Sequence, residues 1–218
     1  MILWKKFLLT GLFLGGTLSY TNKINNSQIY KENMSLEELT EKITYSRVRN
    51  LNKLYNFSEE DLNRFNSWID STINESAKEN KNCILVDKSS RLLYLIKEGK
   101  VDSKYTIELG HNPYEDKQKE GDCCTPEGRY SIEKKIPFGE TNFYKALLIN
   151  YPNKEDKAKG KTGGLIEIHG FGGKGYDWTA GCVSLYNKDM DKIFSSVKKG
   201  DKVTIVKVTS RNLSLRVK

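Results

Sequence analysis

The chain has 218 residues, of which 37% are hydrophobic and 29% charged, and its formal net charge is +8. This composition argues against a disordered chain and is sufficient for one domain with its own core plus a short appendage. The basic residues are scattered and no nucleic-acid-binding motif accompanies them. We therefore interpret the charge as a solvated surface and expect no nucleic acid partner.

Residues 1–20 have the layout of an export segment. Lys5 and Lys6 precede the apolar stretch "FLLTGLFLGGTL", which is short for a bilayer crossing of about 20 residues. Its glycines make it a poor buried helix. Both a cleaved signal peptide and a retained anchor fit this pattern, so we expect membrane contact only through this N-terminal segment.

A linker and a helical segment are predicted next. Residues 21–33 are polar and asparagine-rich, which is typical of a linker. Over 34–80, two stretches begin with the capping serines Ser35 and Ser58 and then carry apolar residues at helical intervals. The apolar face of the second stretch contains Leu62, Phe65, Ile69 and Ile73. These helices carry no visible chemistry, so we interpret them as a packing or partner surface.

The pattern changes to that of strands from Cys83 onward. The run "CILVDKSSRLLYLIKEGKVDSKYTIELG" predicts consecutive antiparallel strands. Further strands are predicted after the turn "TPEG", within "NFYKALLINYP" and "GLIEIHG", and at "DKVTIVKV", with one helix from about Asn187 and a lysine-rich loop at "NKEDKAKGKTG". Strands and helices do not alternate regularly. The sequence therefore predicts a mainly β fold, a β-sandwich or barrel-like sheet with one associated helix, preceded by the helical segment.

The glycine-rich stretch "IEIHGFGGKGYDWTAGCVSL" contains one of the two histidines and one of the four cysteines. It places His169 at the end of a strand and Cys182 in a tight turn before a helix. A thiol needs a nearby base to become a good nucleophile near neutral pH, and imidazole is the usual base. The N–H groups around Gly181 and Cys182 could hold the oxyanion of a tetrahedral intermediate. The pattern thus indicates cysteine acyl transfer.

Two other interpretations of these residues are open. A histidine at a strand end and a single cysteine are often structural residues. A zinc site would have to use His169 and Cys182 with His111 and the pair Cys123–Cys124. Adjacent cysteines lack the spacing that lets both sulfurs reach one tetrahedral ion. We therefore expect neither a metal nor a cofactor.

The motifs of this chain resemble those of the L,D-transpeptidase catalytic domain. The segments "ILVDKSSRLLYLIKEGK", "KEGDCCTPEGRYSI", "IEIHGF" and "DWTAGCVSLYNKDMDKIF" occur in that family's order. The resemblance covers residues 82–208 and leaves 209–218 as a C-terminal tail. It implies that Cys182 is the nucleophile and His169 the base, and that the carbonyl of Gly170 orients the imidazole. Thr179 and Gly181 would shape the turn behind the cysteine.

The chain departs from many family members at two positions near the cysteine. Ala180 stands where they have histidine, and Ser184 where they have arginine. A subgroup with "DWT-x-GC" looks similar to this chain. We expect both residues, together with Trp178 and Tyr176, to contact the substrate.

Two loops flank this predicted site. The loop 111–124 contains the pair Cys123–Cys124, for which a disulfide with Cys83 would be consistent with export. This loop and the lysine-rich loop 153–163 look mobile, and either could close over the site as a lid. The alternative is that both are solvated surface loops.

The resemblance implies a function in peptidoglycan cross-linking. The family's thiolate attacks the carbonyl between the third residue and the terminal D-alanine of a tetrapeptide stem, and a thioester forms as D-alanine leaves. An amine of an acceptor stem then forms a 3-3 cross-link. The implied partners are peptidoglycan stem peptides, and the implied location is the cell envelope, in the periplasm or cell wall. Water as the acceptor would make the protein an L,D-carboxypeptidase. A wall-binding module without turnover is a third alternative, which the intact His169 and Cys182 disfavour.

Overall fold

A computed structural model describes residues 58–208 of the chain. The predicted export segment at 1–20, the linker at 21–33, the part of the helical segment that begins at Ser35 and the tail at 209–218 lie outside these residues. None of the helices found in residues 58–208 combines the length and the apolarity that a membrane crossing requires.

Three helices and eight strands are found in the described residues. In chain order they are α1 (Glu59–Glu79), β1 (Cys83–Asp87), β2 (Leu92–Lys97), β3 (Lys100–Thr106), β4 (Gly128–Ile136), β5 (Ala146–Ile149), α2 (Lys154–Ala158), β6 (Glu167–His169), β7 (Val183–Ser184), α3 (Asn187–Ser196) and β8 (Lys202–Val206).

The eight strands form one sheet in the order β3-β2-β1-β8-β4-β5-β6-β7. The pairs β1–β8 and β6–β7 are parallel, and the other neighbours are antiparallel. After β3, the chain crosses to the other edge of the sheet, where Glu108 forms an antiparallel bridge with Ser184 of β7. The segment after β3 thus reaches across to β7, and the sheet curls into a half-barrel. The mainly β, barrel-like prediction is confirmed, and the sandwich alternative is not found in the described residues.

The interior of the curled sheet contains the main apolar core. Strand residues alternate between the two faces of a sheet, and those on the inner face pack around Met190 and Ile193 of α3. The predicted helix near Asn187 and the predicted last strand are both present.

Helix α1 covers the outer face of β1, β2 and β8. Its N-cap is Ser58, as predicted, and the Ser58 hydroxyl accepts a hydrogen bond from the Asp61 N–H at 3.0 Å. Phe65 and Ile69 of α1 pack into a second apolar cluster against these strands. Since α1 lies on one face and the core on the other, all five residues of β1 are buried. The predicted packing role of this helix is therefore confirmed.

The lysine-rich stretch predicted to be a loop is partly helical. The side chain of Asn153 accepts hydrogen bonds from the N–H groups of Glu155 and Asp156, and Asp156 accepts one from the Asn153 N–H. This reciprocal arrangement is a capping box, which starts helix α2. The loop prediction was wrong for Lys154–Ala158, because the capping box at Asn153 starts a helix even though lysines surround it.

A buried lysine connects the two loops that were expected to be mobile. Lys161 is 7% exposed, and its ammonium lies 2.6 Å from Asp116 and 3.3 Å from Asp156. Within the first loop, Lys117 is also buried and lies 2.7 Å from Asp122. Movement of either loop alone would break the Lys161–Asp116 pair and leave the buried Lys161 ammonium with Asp156 as its remaining carboxylate, 3.3 Å away, which is costly. We therefore expect residues 111–124 and 153–163 to form a fixed wall.

A fully buried lysine attaches this wall to the sheet. Lys88 follows β1 and has no exposed surface. Its ammonium donates hydrogen bonds to the carbonyl oxygens of Glu115 and Thr125, both at 2.7 Å, and to the Glu127 carboxylate at 3.0 Å. All three protons of the ammonium group are thus used inside the protein, which compensates for its burial.

Replacing Lys88 is expected to destabilise the fold. We predict that Lys88→Ala lowers the free energy of unfolding by about 3–5 kcal/mol, since the buried Glu127 would keep only the more distant Lys207, at 3.9 Å, and the carbonyl oxygens of Glu115 and Thr125 would lose their donor. The matched control is Lys97→Ala, because Lys97 forms a half-exposed pair with Asp102 and should cost at most about 1 kcal/mol. Urea unfolding of the two variants measures the difference, and equal losses would contradict the anchoring role of Lys88.

Candidate active site

The pairing of β6 with β7 brings His169 and Cys182 to the same face of the sheet. The parallel register places Ile168 beside Val183 and His169 beside Ser184. Cys182 immediately precedes β7 and continues this register, since its sulfur accepts a hydrogen bond from the Glu167 N–H at 3.4 Å. Alternate strand residues share a face and neighbouring strands lie about 4.8 Å apart. His169 and Cys182 are therefore diagonal neighbours on one face.

The imidazole of His169 is fully buried and held by one backbone contact. Its Nδ1 lies 2.6 Å from the carbonyl oxygen of Gly170, as the resemblance implied. A carbonyl oxygen can only accept, so Nδ1 carries the proton and Nε2 presents a lone pair. Nε2 is buried without a hydrogen-bond partner among the described residues. An unsatisfied buried nitrogen is costly, and here it is the atom that a general base would use.

Aromatic rings surround the imidazole. Phe143 stacks on it with a centroid separation of 3.6 Å and an interplanar angle of 15°, and Trp178 packs edge-on at 5.8 Å. This burial lowers the pKa of His169 to about 4, although the hydrogen bond to Gly170 acts in the opposite direction. The neutral imidazole is therefore the stable form at neutral pH.

The thiol of Cys182 is partly exposed and is neutral as well. Burial of its surroundings raises the pKa of Cys182 to about 11. In this structure the thiol donates to the carbonyl oxygen of Leu165 at 3.6 Å. The resting site thus holds a thiol and a neutral imidazole, and deprotonation must accompany attack on a substrate.

Thr179 closes the turn that carries the cysteine. Its hydroxyl donates to the carbonyl oxygen of Cys182 at 2.7 Å and accepts from the Gly181 N–H at 3.1 Å. Gly181 has a φ of +130°, and a side chain there would meet the Cys124 carbonyl oxygen at 2.6 Å. Only glycine permits this backbone and this close approach. Because the Gly181 N–H is already donated to Thr179, the N–H of Cys182 is the remaining candidate of the two expected oxyanion donors.

The other two residues of the "DWT" motif dock the glycine-rich loop onto the segment after β3. The Asp177 carboxylate accepts a hydrogen bond from the Leu109 N–H at 2.8 Å and pairs with Arg91 at 2.8 Å. The Trp178 indole N–H donates to Glu108 at 2.8 Å. Each residue of the motif therefore has an internal partner, and the motif determines where the loop lies.

Glu108 is a functional candidate that the sequence did not reveal. Its carboxylate is 7% exposed and accepts four hydrogen bonds, from the N–H groups of Gly173 and Gly175, the indole of Trp178 and the hydroxyl of Ser184. Hydrogen bonds to a charged acceptor are the strong ones. In the sequence, Glu108 alternates with buried apolar residues in "TIELG" and reads as a solvent-facing strand residue, so no local signal distinguishes it. Phe143 was missed as well, because nothing in its local sequence indicates that its ring stacks on His169.

The four residues expected to contact substrate have different environments. Tyr176 is 60% exposed and lines a cleft of about 300 Å³ between the glycine-rich loop and the segment after β3. Ala180 is exposed beside the nucleophile. Trp178 is partly buried against His169, and Ser184 is fully buried beneath the loop. The structure therefore leaves Tyr176 and Ala180 accessible and gives Trp178 and Ser184 internal contacts.

The four cysteines are all free thiols in this structure. The expected disulfide of Cys83 with Cys123 or Cys124 is not formed. Cys83 is buried in the cluster beneath α1, on the opposite face of the sheet from the core. Within residues 58–208, no group of three or more histidine, cysteine, aspartate or glutamate side chains is arranged to hold a metal ion.

Comparison with known proteins assigns the family. Residues 81–205, more than half of the chain, match the family model YkuD, the L,D-transpeptidase catalytic domain. The chain belongs to this family. The L,D-transpeptidase family consists of enzymes with a cysteine nucleophile.

Individual known proteins are similar to the chain over part of their length. YafK of Escherichia coli (strain K12), which is named for this family, is 33% identical over 121 residues, or 55% of this chain and 44% of YafK. The chain therefore spans less than half the length of the curated relatives it matches. The crystal structure of Pgp2, a helical cell shape determining protein from Campylobacter jejuni, is 29% identical over 65% of this chain and 56% of Pgp2, with a TM-score of 0.49. Bd1075 of Bdellovibrio bacteriovorus is 24% identical over 62% of this chain and 54% of Bd1075, with a TM-score of 0.49.

The lowered pKa of His169 makes stability depend on pH. The unfolded histidine binds a proton near its ordinary pKa of 6.5, whereas the folded one does so only near 4. As the pH falls from 7 to 5, the unfolded state therefore gains a proton that the folded state does not. We predict that wild type loses about 2 kcal/mol more unfolding free energy over this range than His169→Ala does.

The measurement is urea unfolding at both pH values. His111→Ala serves as the control and should retain the wild-type pH dependence, because His111 is exposed. An unchanged pH dependence in His169→Ala would contradict the buried, neutral imidazole.

Proposed function

We propose that this protein is a peptidoglycan L,D-transpeptidase that forms 3-3 cross-links between stem peptides. The observation that carries the proposal is the arrangement of His169 and Cys182. The two side chains share one face, the imidazole is oriented by Gly170, and its free Nε2 is buried without another partner. A general base needs such a lone pair on the face that carries the thiol. At rest the two groups are not hydrogen-bonded to each other, and catalytic contacts of this kind often form only when substrate is bound.

In the first half-reaction, Cys182 is acylated by a tetrapeptide stem. The sulfur attacks the carbonyl between the third residue and the terminal D-alanine while Nε2 of His169 takes the thiol proton. Because neither group is charged at rest, proton transfer and attack are coupled. The N–H of Cys182 stabilises the oxyanion. When the intermediate collapses, the proton on Nε2 moves to the nitrogen of the departing D-alanine, and a thioester remains.

In the second half-reaction, an amine of an acceptor stem attacks the thioester carbonyl. The new amide is the cross-link, and Cys182 leaves as the thiol after its proton returns. The proposed binding region for the stems is the accessible surface at Ala180, beside the nucleophile, together with the cleft at Tyr176 on the far side of the glycine-rich loop's Glu108 contact. The net charge of +8 suits an acidic wall polymer. We accordingly propose the cell envelope as the location.

Hydrolysis is the second candidate activity. Cys182 is partly exposed, so water has access to a thioester on its sulfur. Transfer requires that a bound amine outcompete bulk water, which positioning can achieve because effective molarities of oriented groups reach about 10⁵ M or more. A wall-binding module without turnover would not need the oriented base.

Product analysis separates these functions. We predict that the purified full-length chain converts tetrapeptide-stem muropeptides to 3-3 cross-linked dimers and free D-alanine, as detected by mass spectrometry. Cys182→Ser should abolish both products, and His169→Ala should slow D-alanine release by about two to four orders of magnitude. His111→Ala is the control and should behave as wild type.

Two outcomes would contradict the proposal. Complete conversion to tripeptide stems without dimers, at high acceptor concentration, would assign an L,D-carboxypeptidase. Loss of turnover in His111→Ala with activity retained in His169→Ala would show that the wrong base had been chosen.

A further inference from the structure

A carboxylate lies directly beside the nucleophile on the catalytic face. Glu167 is the first residue of β6, two positions before His169, so the two side chains share a face. Its own N–H donates to the Cys182 sulfur at 3.4 Å. Paired strand residues project to the same side, and Glu167 is opposite Cys182 in the continued register. Glu167, His169 and Cys182 therefore form one contiguous triangle on the sheet.

This carboxylate is half-buried and has no partner. Within residues 58–208, Glu167 takes part in no ion pair and its carboxylate accepts no hydrogen bond, and burial alone raises its pKa. The cations in its neighbourhood are used elsewhere or lie further away. Lys117 pairs with Asp122, and Lys134 is separated from Glu167 along the sheet by Leu148. A half-buried charge without a partner is unfavourable, which favours a cation supplied from outside the chain.

The position of Glu167 does not assist acylation. A negative charge beside the thiol makes the thiolate less stable and contributes to the raised pKa of Cys182. Glu167 therefore opposes the first half-reaction although it lies next to the reacting sulfur. Its position is better suited to the second half-reaction. There the attacking group is an amine, which is a cation at neutral pH until it loses a proton.

We propose that Glu167 binds the ammonium group of the acceptor and removes its proton, so that the acyl group is transferred to an amine rather than to water. This inference rests on the proposed function and assigns the residue that receives the acceptor amine, which arrives as its cation. Hydrogen bonds between an ammonium and a carboxylate are charge-assisted and directional. They would hold the nitrogen beside the thioester on Cys182.

The proton balance of this step is complete. Glu167 takes one proton from the ammonium and becomes a carboxylic acid, and the neutral amine attacks the thioester carbonyl. As the tetrahedral intermediate collapses, the carbon–sulfur bond breaks and the amide forms. The second proton of the nitrogen passes through His169 to the departing sulfur. The carboxylic acid then returns its proton to solvent. Since burial raises the pKa of Glu167, it accepts a proton more readily than an exposed carboxylate does.

The test compares acceptors that differ in charge. Full-length Glu167→Gln and wild type are given a tetrapeptide stem as donor with one of two acceptors, a stem peptide bearing a primary amine or hydroxylamine. Hydroxylamine is neutral at neutral pH and needs no deprotonation. D-alanine release measures acylation, and the ratio of transferred to hydrolysed product measures the choice of acceptor. The control variant is Glu133→Gln, which removes the same charge from an exposed position of β4 in the same sheet.

We expect Glu167→Gln to lower the transfer-to-hydrolysis ratio with the primary amine by about tenfold to a hundredfold. With hydroxylamine the ratio should change less than about threefold, and D-alanine release without acceptor should be no slower than in wild type, because the thiol loses a repulsive neighbour. Glu133→Gln should match wild type in all three measurements.

Several results would overturn the inference or the proposed function on which it rests. An unchanged ratio with the primary amine would exclude a role for Glu167 in acceptor binding. An equal fall with both acceptors, or a parallel loss of D-alanine release, would indicate a structural defect. If wild type releases D-alanine but transfers to no amine, the acceptor assignment fails while the acylation chemistry stands. If wild type releases no D-alanine at all, the proposed function itself fails.

Discussion

The parallel pairing of β6 with β7 is the constraint on which the candidate site depends. These strands are only three and two residues long, yet their register decides that His169, Glu167 and Cys182 share a face. A shift by one residue would turn the reactive side chains to the opposite side of the sheet. The edge strand β7 is secured by the bridge between Glu108 and Ser184, through which the segment after β3 reaches the far edge of the curled sheet. The curvature of the sheet and the geometry of the site therefore have a common origin.

The glycine-rich loop is positioned by groups beneath it. Glu108 accepts hydrogen bonds from two backbone N–H groups, an indole and a hydroxyl. The indole is that of Trp178, which packs edge-on against the His169 ring. On the other side, the wall formed by residues 111–124 and 153–163 presents the Cys124 carbonyl to the turn at Gly181. Lys88 and Lys161 fix that wall from within. The residues around His169 and Cys182 are thus fixed before substrate binds, and such preorganisation favours catalysis.

Much of this structure could be predicted from the sequence, and the failures have identifiable causes. Strands and helices with clear periodicity, such as α1 with its cap at Ser58, were predicted because their signals are local. The capping box at Asn153 was overlooked among lysines, although it is also local. The roles of Glu108 and Phe143 depend on contacts with residues far away in sequence, and no spacing rule reveals them. The contact between His169 and Gly170 was expected from the family resemblance, whereas the partnerless Glu167 became apparent only from the register.

The central claim is that the resting site contains a neutral imidazole with its proton on Nδ1. Nitrogen-15 NMR of the imidazole side chains measures this directly, and the chain has only two histidines, so a His111→Ala sample assigns the signals. The account predicts that His169 is the neutral Nδ1–H tautomer at pH 7 and remains so at pH 5, because its pKa lies near 4. An imidazolium at pH 7, or a neutral ring with its proton on Nε2, would contradict it.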